Sequence, residues 1–388
     1  MADSTLPLLP DLLCFSHLRW NFVFQRPQHL LSRFARERRV FFFEEPVHDA
    51  QEPALEMRTS PEGVHVAVPH LPRDLDEEQS EQALRRLVDR LVEEEDLRRY
   101  VTWYYTPMAL PFSRHLDSLA VAYDCMDELS LFRGAPPRLL QLERELLQRS
   151  SVVYTGGHSL FEAKRDKHPN VHAMPSSVDL AHFARARAPQ ADPADQAAIP
   201  HPRLGFFGVI DERLDLDLLR GLAAARPDWH ILLLGPVVKI DPASLPRGPN
   251  VHYLGMKKYE ELPAYLAGWD VALLLFARNE ATRYISPTKT PEYLAAGRPV
   301  VSTSIRDVMR PYGARGLVEI ADSPSDFVLA VSACLRGDSE RQRRADAFLS
   351  TMSWDATFAR MKALLDECVH RHRLVRSATR PAEASADV

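Results

Sequence analysis

Two stretches of this 388-residue chain carry side chains whose types and spacing could do group-transfer chemistry. The first is Ser286-Pro287-Thr288-Lys289-Thr290-Pro291-Glu292, continuing to Gly297-Arg298-Pro299. The spacing predicts a short helix. Thr288 or Thr290 can cap it, Pro291 fits its first turn, and Gly297 with Pro299 stops it. Lys289 and Glu292 then share one face, because residues three apart are neighbours on a helix. A helix start just past a buried strand favours phosphate, since free N–H groups and the helix dipole face the ligand. A lysine for a diphosphate and a carboxylate for ribose hydroxyls form a coherent nucleotide-sugar pair. The plain alternative is an exposed ion pair. The second stretch is Asp124-Cys125-Met126-Asp127-Glu128. A carboxylate there could serve as general base toward a hydroxyl, with Asp127 the first candidate and Asp124 the second. The plain alternative is a helix-capping or loop acid.

The elements that would position these residues alternate between strand and helix. Asp11–Ser16, Arg38–Glu44, Val64–Val68, Val101–Tyr105, Leu119–Tyr123, Val152–Thr155 and Val171–Met174 read as strands. Helices at Gln25–Arg36, Asp76–Tyr100 and Pro136–Ser150 fall between them, the second with Leu84, Leu87, Val88 and Leu91 on one face. A second alternation opens at Leu204–Val209. It runs through strands at His230–Leu234, Val251–Leu254, Val271–Phe276, Val300–Thr303 and Leu317–Ile320. This is the signature of parallel sheets in an α/β protein of two Rossmann-like domains facing a cleft. The expected division is a first domain at 1–183, a linker at 184–202 and a second domain at 203–352. A closing helix at 353–375 and a disordered tail at 376–388 follow.

Composition narrows the class. Hydrophobic residues at 45% and charged residues at 26% are those of a globular protein. A net charge of −5 gives no reason to expect nucleic acid. The 4 cysteines, Cys14, Cys125, Cys334 and Cys368, are scattered, without metal-ligand spacing, and read as reduced thiols. No apolar run approaches the ~18 residues of a membrane span, and no signal peptide is visible. The expectation is a cytoplasmic protein. Arg26, Arg33, Arg36, Arg38 and Arg39 cluster near the start and could bring it to an anionic membrane surface. No Gly-x-Gly-x-x-Gly follows the first strand, which argues against a nicotinamide enzyme, and there is no P-loop either.

The second half resembles the GT-B glycosyltransferases, above all their retaining group-one family. The resemblance rests on an ordered set of motifs: Pro175-Ser176-Ser177-Val178-Asp179-x-x-x-Phe183, Gly205-Phe206-Phe207-Gly208, His252-Tyr253-Leu254-Gly255, Trp269-Asp270-Val271, and Glu292-Tyr293-Leu294-Ala295-Ala296-Gly297-Arg298-Pro299. Phe24-Gln25-Arg26-Pro27-Gln28-His29-Leu30 is similar to a subgroup of bacterial teichuronic-acid and exopolysaccharide glycosyltransferases. One departure stands out: the family's usual second glutamate falls at Tyr284, with Glu280 nearby. The Asp124–Leu131 stretch is similar to the catalytic loop of the inverting glucuronosyltransferase of xanthan assembly, with Asp127 at the base. Retention and inversion both stay open.

The resemblance implies transfer of a sugar from a nucleotide-diphosphate sugar, UDP first, to a glycan, lipid-linked or small-molecule acceptor. It implies no cofactor beyond that co-substrate and no metal. Gly208 would let the backbone approach the diphosphate, and Arg213 would neutralise phosphate or pair with Asp215 or Asp217. Met256 and Lys257 would meet the nucleobase through their backbone. Asn279, Glu280 and Thr282 would touch the sugar. His17, Arg19 and Arg26 would face the acceptor or donor, or else be ordinary loop and surface residues. A nucleotide-sugar epimerase of the same fold and a non-catalytic homologue are the alternatives.

Overall fold

The computed structural model describes residues 9–379. The first series of elements is β1 (Asp11–Phe15), α1 (Arg26–Phe34), β2 (Val40–Phe43), β3 (Ala54–Thr59), β4 (His65–His70), α2 (Glu77–Glu94) and β5 (Tyr100–Tyr104). It continues with α3 (Leu110–Ser113), β6 (Val121–Cys125), α4 (Leu139–Arg149), β7 (Val152–Thr155), α5 (His158–Lys164) and β8 (Val171–Ala173). Then α6 (Leu180–Ala184) leads to β9 (Arg203–Phe207), α7 (Leu216–Ala225), β10 (His230–Leu234), β11 (Val251–Gly255), α8 (Leu262–Ala267) and β12 (Val271–Leu274). The chain ends through α9 (Lys289–Ala295), β13 (Val300–Ser302), α10 (Arg306–Met309), β14 (Glu319–Ile320), α11 (Pro324–Leu335), α12 (Ser339–Leu349) and α13 (Trp354–Thr379).

Among the described residues the strands form two sheets, ordered β3-β4-β2-β1-β5-β6-β7-β8 and β11-β10-β9-β12-β13-β14. All pairings are parallel except β3 with β4. Strands of a parallel sheet are covered by helices on both faces and so read as continuous apolar runs. That is why β2 (Val-Phe-Phe-Phe) and β12 (Val-Ala-Leu-Leu) are buried at every position. The edge strand β3 escaped the sequence reading because its Ala-Leu-Glu-Met-Arg-Thr is mostly exposed and has no such run. Helix α2 buries Leu84, Leu87, Val88 and Leu91 as expected, but stops at Glu94. Asp96 takes a positive φ of 50° and turns the chain into β5.

Two expectations about connections change. The stretch 184–202 is not a free spacer but a strap tied to the second sheet. Arg187 donates to the Ala295 and Leu294 carbonyls at 2.7 and 3.2 Å, and the Trp269 indole donates to the buried Gln196 at 3.1 Å. The closing helix α13 crosses back to the first sheet. Its Trp354 stacks on His29 at 4.5 Å, its Asp355 pairs with Arg33 at 2.7 Å, and its Met361 carbonyl accepts from the Tyr154 hydroxyl at 2.8 Å. Of the tail expected at 376–388, residues 376–379 continue α13 and the rest lies outside the described residues.

Candidate active site

A cavity of about 490 Å³ opens between the two sheets. Its walls come from segments that follow the C-terminal ends of strands, where open parallel sheets place ligands. From the first sheet come residues 20–26 after β1 and Met126 with Asp127 after β6. From the second come Gly208 and Arg213 after β9, Met256 to Glu260 after β11, and Ser286 to Lys289 with Glu292 at α9.

Lys289 is a buried cation of this cavity. Its ammonium has no hydrogen-bond or ion-pair partner among the described residues, and burial lowers its pKa against the pull of Glu292. A Cβ at Gly208, whose φ is +142°, would overlap the Lys289 side chain. Gly208 therefore makes room for the lysine stem, where the sequence reading gave it the diphosphate itself. Helix α9 is less of an anion site than expected. Thr288 already has helical φ and ψ of −56° and −30° and makes no side-chain cap. The Thr290 N–H donates to the Pro287 carbonyl at 3.2 Å, and the Thr290 hydroxyl is buried without a partner. Pro291 has no N–H to offer. The lysine, more than the helix end, supplies positive charge. Glu292 is 8% exposed with one oxygen unpartnered, and burial pushes its carboxyl up to about 7 against the pull of Lys289.

Arg213 lines the cavity but is not free. Asp211, rather than Asp215 or Asp217, holds it through paired contacts of 2.7 to 3.0 Å, and the Phe132 ring lies 5.7 Å from its guanidinium carbon. Met256 is half exposed at the wall. The Lys257 ammonium turns to Asp195 at 2.6 Å, which leaves only its backbone toward the cavity.

The two aspartates separate cleanly. Asp124 is 0% exposed at the end of β6 and locked to Arg26 by contacts of 2.8 and 3.0 Å. Arg26 also donates to the Met174 carbonyl at 2.7 Å. The pair is a buried structural clamp, so neither Asp124 as base nor Arg26 as ligand arginine holds. Asp127 lies half-buried in the cavity wall with no side-chain hydrogen bond among the described residues. Burial raises its carboxyl above the ordinary aspartate range, while Arg213 and Lys289 pull it down. A base needs an accessible carboxylate with some proton affinity, and Asp127 has both.

Other candidates fall away. Arg19 lies off the cavity wall, its guanidinium bound to Glu44 at 3.0 Å and to the Glu45 carbonyl at 2.5 Å. His17 also lies off the wall, and burial with the Lys239 charge lowers its pKa to about 4. Asn279 and Thr282 cap each other through N–H groups at 3.1 and 3.2 Å, while Glu280 faces outward to Arg283. Local turn chemistry had imitated a ligand cluster. The basic cluster is largely neutralised as well, with Arg26, Arg33, Arg38 and Arg39 paired to Asp124, Asp355, Asp366 and Asp11. No described helix is long and apolar enough to cross a membrane. Tyr284, at the position of the family's second glutamate, is partly buried against the core of the first domain.

The sequence reading missed Tyr259 and Phe24, which meet across the cleft at 4.6 Å. An aromatic directly after Met256-Lys257-Lys258 was the only available signal.

Known proteins resemble this chain in sequence and in fold. Residues 215–366 match the model of the glycosyl transferase-like family Glyco_trans_1_2. The chain is 28% identical over 289 residues to the "Putative teichuronic acid biosynthesis glycosyltransferase TuaH" of Bacillus subtilis, covering 67% of this chain and 70% of that one. The structure superposes on sucrose-phosphate synthase from Thermosynechococcus elongatus with a TM-score of 0.68 and 14% identity, over 96% of this chain and 100% of the other. Anabaena HepE in complex with UDP and glucose gives 0.66 and 14%, over 92% and 99%. Two parallel sheets with an interdomain cavity, together with these likenesses, make the chain a glycosyltransferase of the GT-B fold.

Proposed function

We propose that the protein transfers a hexosyl group from a nucleoside-diphosphate sugar to an acceptor hydroxyl. The observation that carries this is one cavity lined at once by Lys289 and Glu292 from the second domain and Asp127 from the first. In this reading Lys289 stabilises the departing diphosphate and Glu292 holds ribose hydroxyls. Arg213 adds its charge across the cavity from Asp127. Asp127 takes the proton of the acceptor hydroxyl while that oxygen bonds to the anomeric carbon and the carbon–phosphate oxygen bond breaks. Charge stabilisation by fixed cations costs no reorganisation during the reaction, so we assign the leaving-group role to the lysine without a metal. HepE was solved with UDP, which supports UDP as the first donor to test. The likeness to TuaH supports a cell-envelope glycan or lipid-linked acceptor.

The test is release of nucleoside diphosphate from UDP-, GDP- and dTDP-sugars, with and without a chelator. One donor family turns over and the chelator changes nothing. Absence of both nucleotide binding and release would remove the proposal. Conversion to a free epimerised sugar without any acceptor would make the enzyme an epimerase instead.

A further inference from the structure

Tyr259 stands just past β11, and its ring is clamped between two others. Phe24 of the first domain lies at 4.6 Å and 27°, and His182 lies at 4.0 Å and 9°. The His182 ring nitrogen is also 3.0 Å from the Tyr259 carbonyl oxygen. A phenyl ring would serve this stack equally well. Yet the Tyr259 hydroxyl is buried with no hydrogen-bond partner among the described residues. The Glu292 Oε2 is in the same condition, and both residues line the same cavity. Burial first, and the Glu292 carboxylate second, raise the Tyr259 phenol, so it stays a donor. A buried polar group left unpaired is costly, so native ones generally have partners. An acceptor and a donor left open in one cavity complement a vicinal diol. One hydroxyl donates to the carboxylate, and its neighbour accepts from the phenol.

We propose that Tyr259 is a specificity residue which, with Glu292, reads the ribose diol, so that the donor is carried on a ribonucleotide and not on a 2′-deoxyribonucleotide. This rests on the nucleotide-sugar reading above. It also ties nucleoside recognition to the first domain, because Phe24 supports the ring from across the cleft.

The experiment is calorimetric titration of wild type and Tyr259→Phe with UDP, GDP and their 2′-deoxy and 3′-deoxy forms. The substitution keeps the ring and its stack. Wild type binds a ribonucleotide about tenfold more tightly than at least one deoxy form, and Tyr259→Phe narrows that gap to about twofold. Its thermal midpoint stays within about 2 °C of wild type. Lys289→Met, as a control, weakens ribo and deoxy forms alike. An unchanged gap in Tyr259→Phe, or equal loss of both forms, overturns the assignment alone. Failure of wild type to bind any of these nucleotides overturns it together with the proposed function.

Discussion

Side-chain partners decide which residues of the cleft can work. Asp124 and Asp127 lie three positions apart, but one is spent on Arg26 and the other faces the cavity. Sequence could not separate them, because the partner of Asp124 is 98 positions away. The Lys289 and Glu292 pair was legible because three-residue spacing brings both side chains to the same face of any helix. Glu292 gives a pH signature with a definite sign. Its folded pKa of about 7 lies above the ordinary glutamate value of 4.5, so the folded state holds the proton more tightly than the unfolded chain does. Its contribution to stability is whole below about 4.5 and is lost as pH rises toward about 7, on the order of 3 kcal/mol. Glu292→Gln should flatten that fall in thermal midpoint across the same window. It should also remove the part of the gain in nucleotide affinity that wild type shows as pH rises through about 7, which titrations at several pH values would read.

The loop of Asp127 is positioned by a buried ion cluster. Lys164 on α5 is 0% exposed and bridges Glu128, next to Asp127, and Glu143 on α4, each at 2.6 Å. The Tyr123 hydroxyl donates to the same Glu143 at 3.0 Å. Removing one member of a buried cluster strands the others without a counter-charge, at about 3–5 kcal/mol. Lys164→Met should lose about that much in urea unfolding. At a temperature where it stays folded, its turnover should fall more than its nucleotide affinity. Equal stability to wild type would show that the cluster is not held as described. The strands carrying these loops were legible because parallel strands are apolar on both faces. The helix α5, with a single short apolar patch, and the exposed strand β3 were not. Nor could the sequence show that the strap at 184–202 is docked, since its partners are backbone carbonyls, a buried glutamine's neighbours and charged side chains such as Lys257 and Asp346, most of them far along the chain.

Across the whole molecule, the two domains meet at a fitted contact beside the cavity. Asp307 of α10 accepts from the Ser159 N–H at the start of α5 at 2.9 Å, and Glu162 of α5 pairs with Arg306 and Arg310. A Cβ at Gly157 would overlap Asp307 and Ser286, so the close approach requires glycine there. Gly157→Ala should push the domains apart, raising the radius of gyration in small-angle scattering. Turnover should drop about tenfold through misplacement of the reacting groups, with nucleotide affinity nearly unchanged. The two-domain plan was readable from the alternation of elements, whereas this contact, built from residues far apart in the chain, was not. In the proposed reaction Asp127 of one domain deprotonates the acceptor hydroxyl that attacks a donor held by the other. This role is tested most directly by measuring, on Asp127→Asn, both nucleoside-diphosphate affinity and release of the diphosphate from the sugar donor. Affinity should stay within about twofold of wild type while release slows by about 100-fold or more. Release at the wild-type rate, or loss of the nucleotide together with activity, would contradict it.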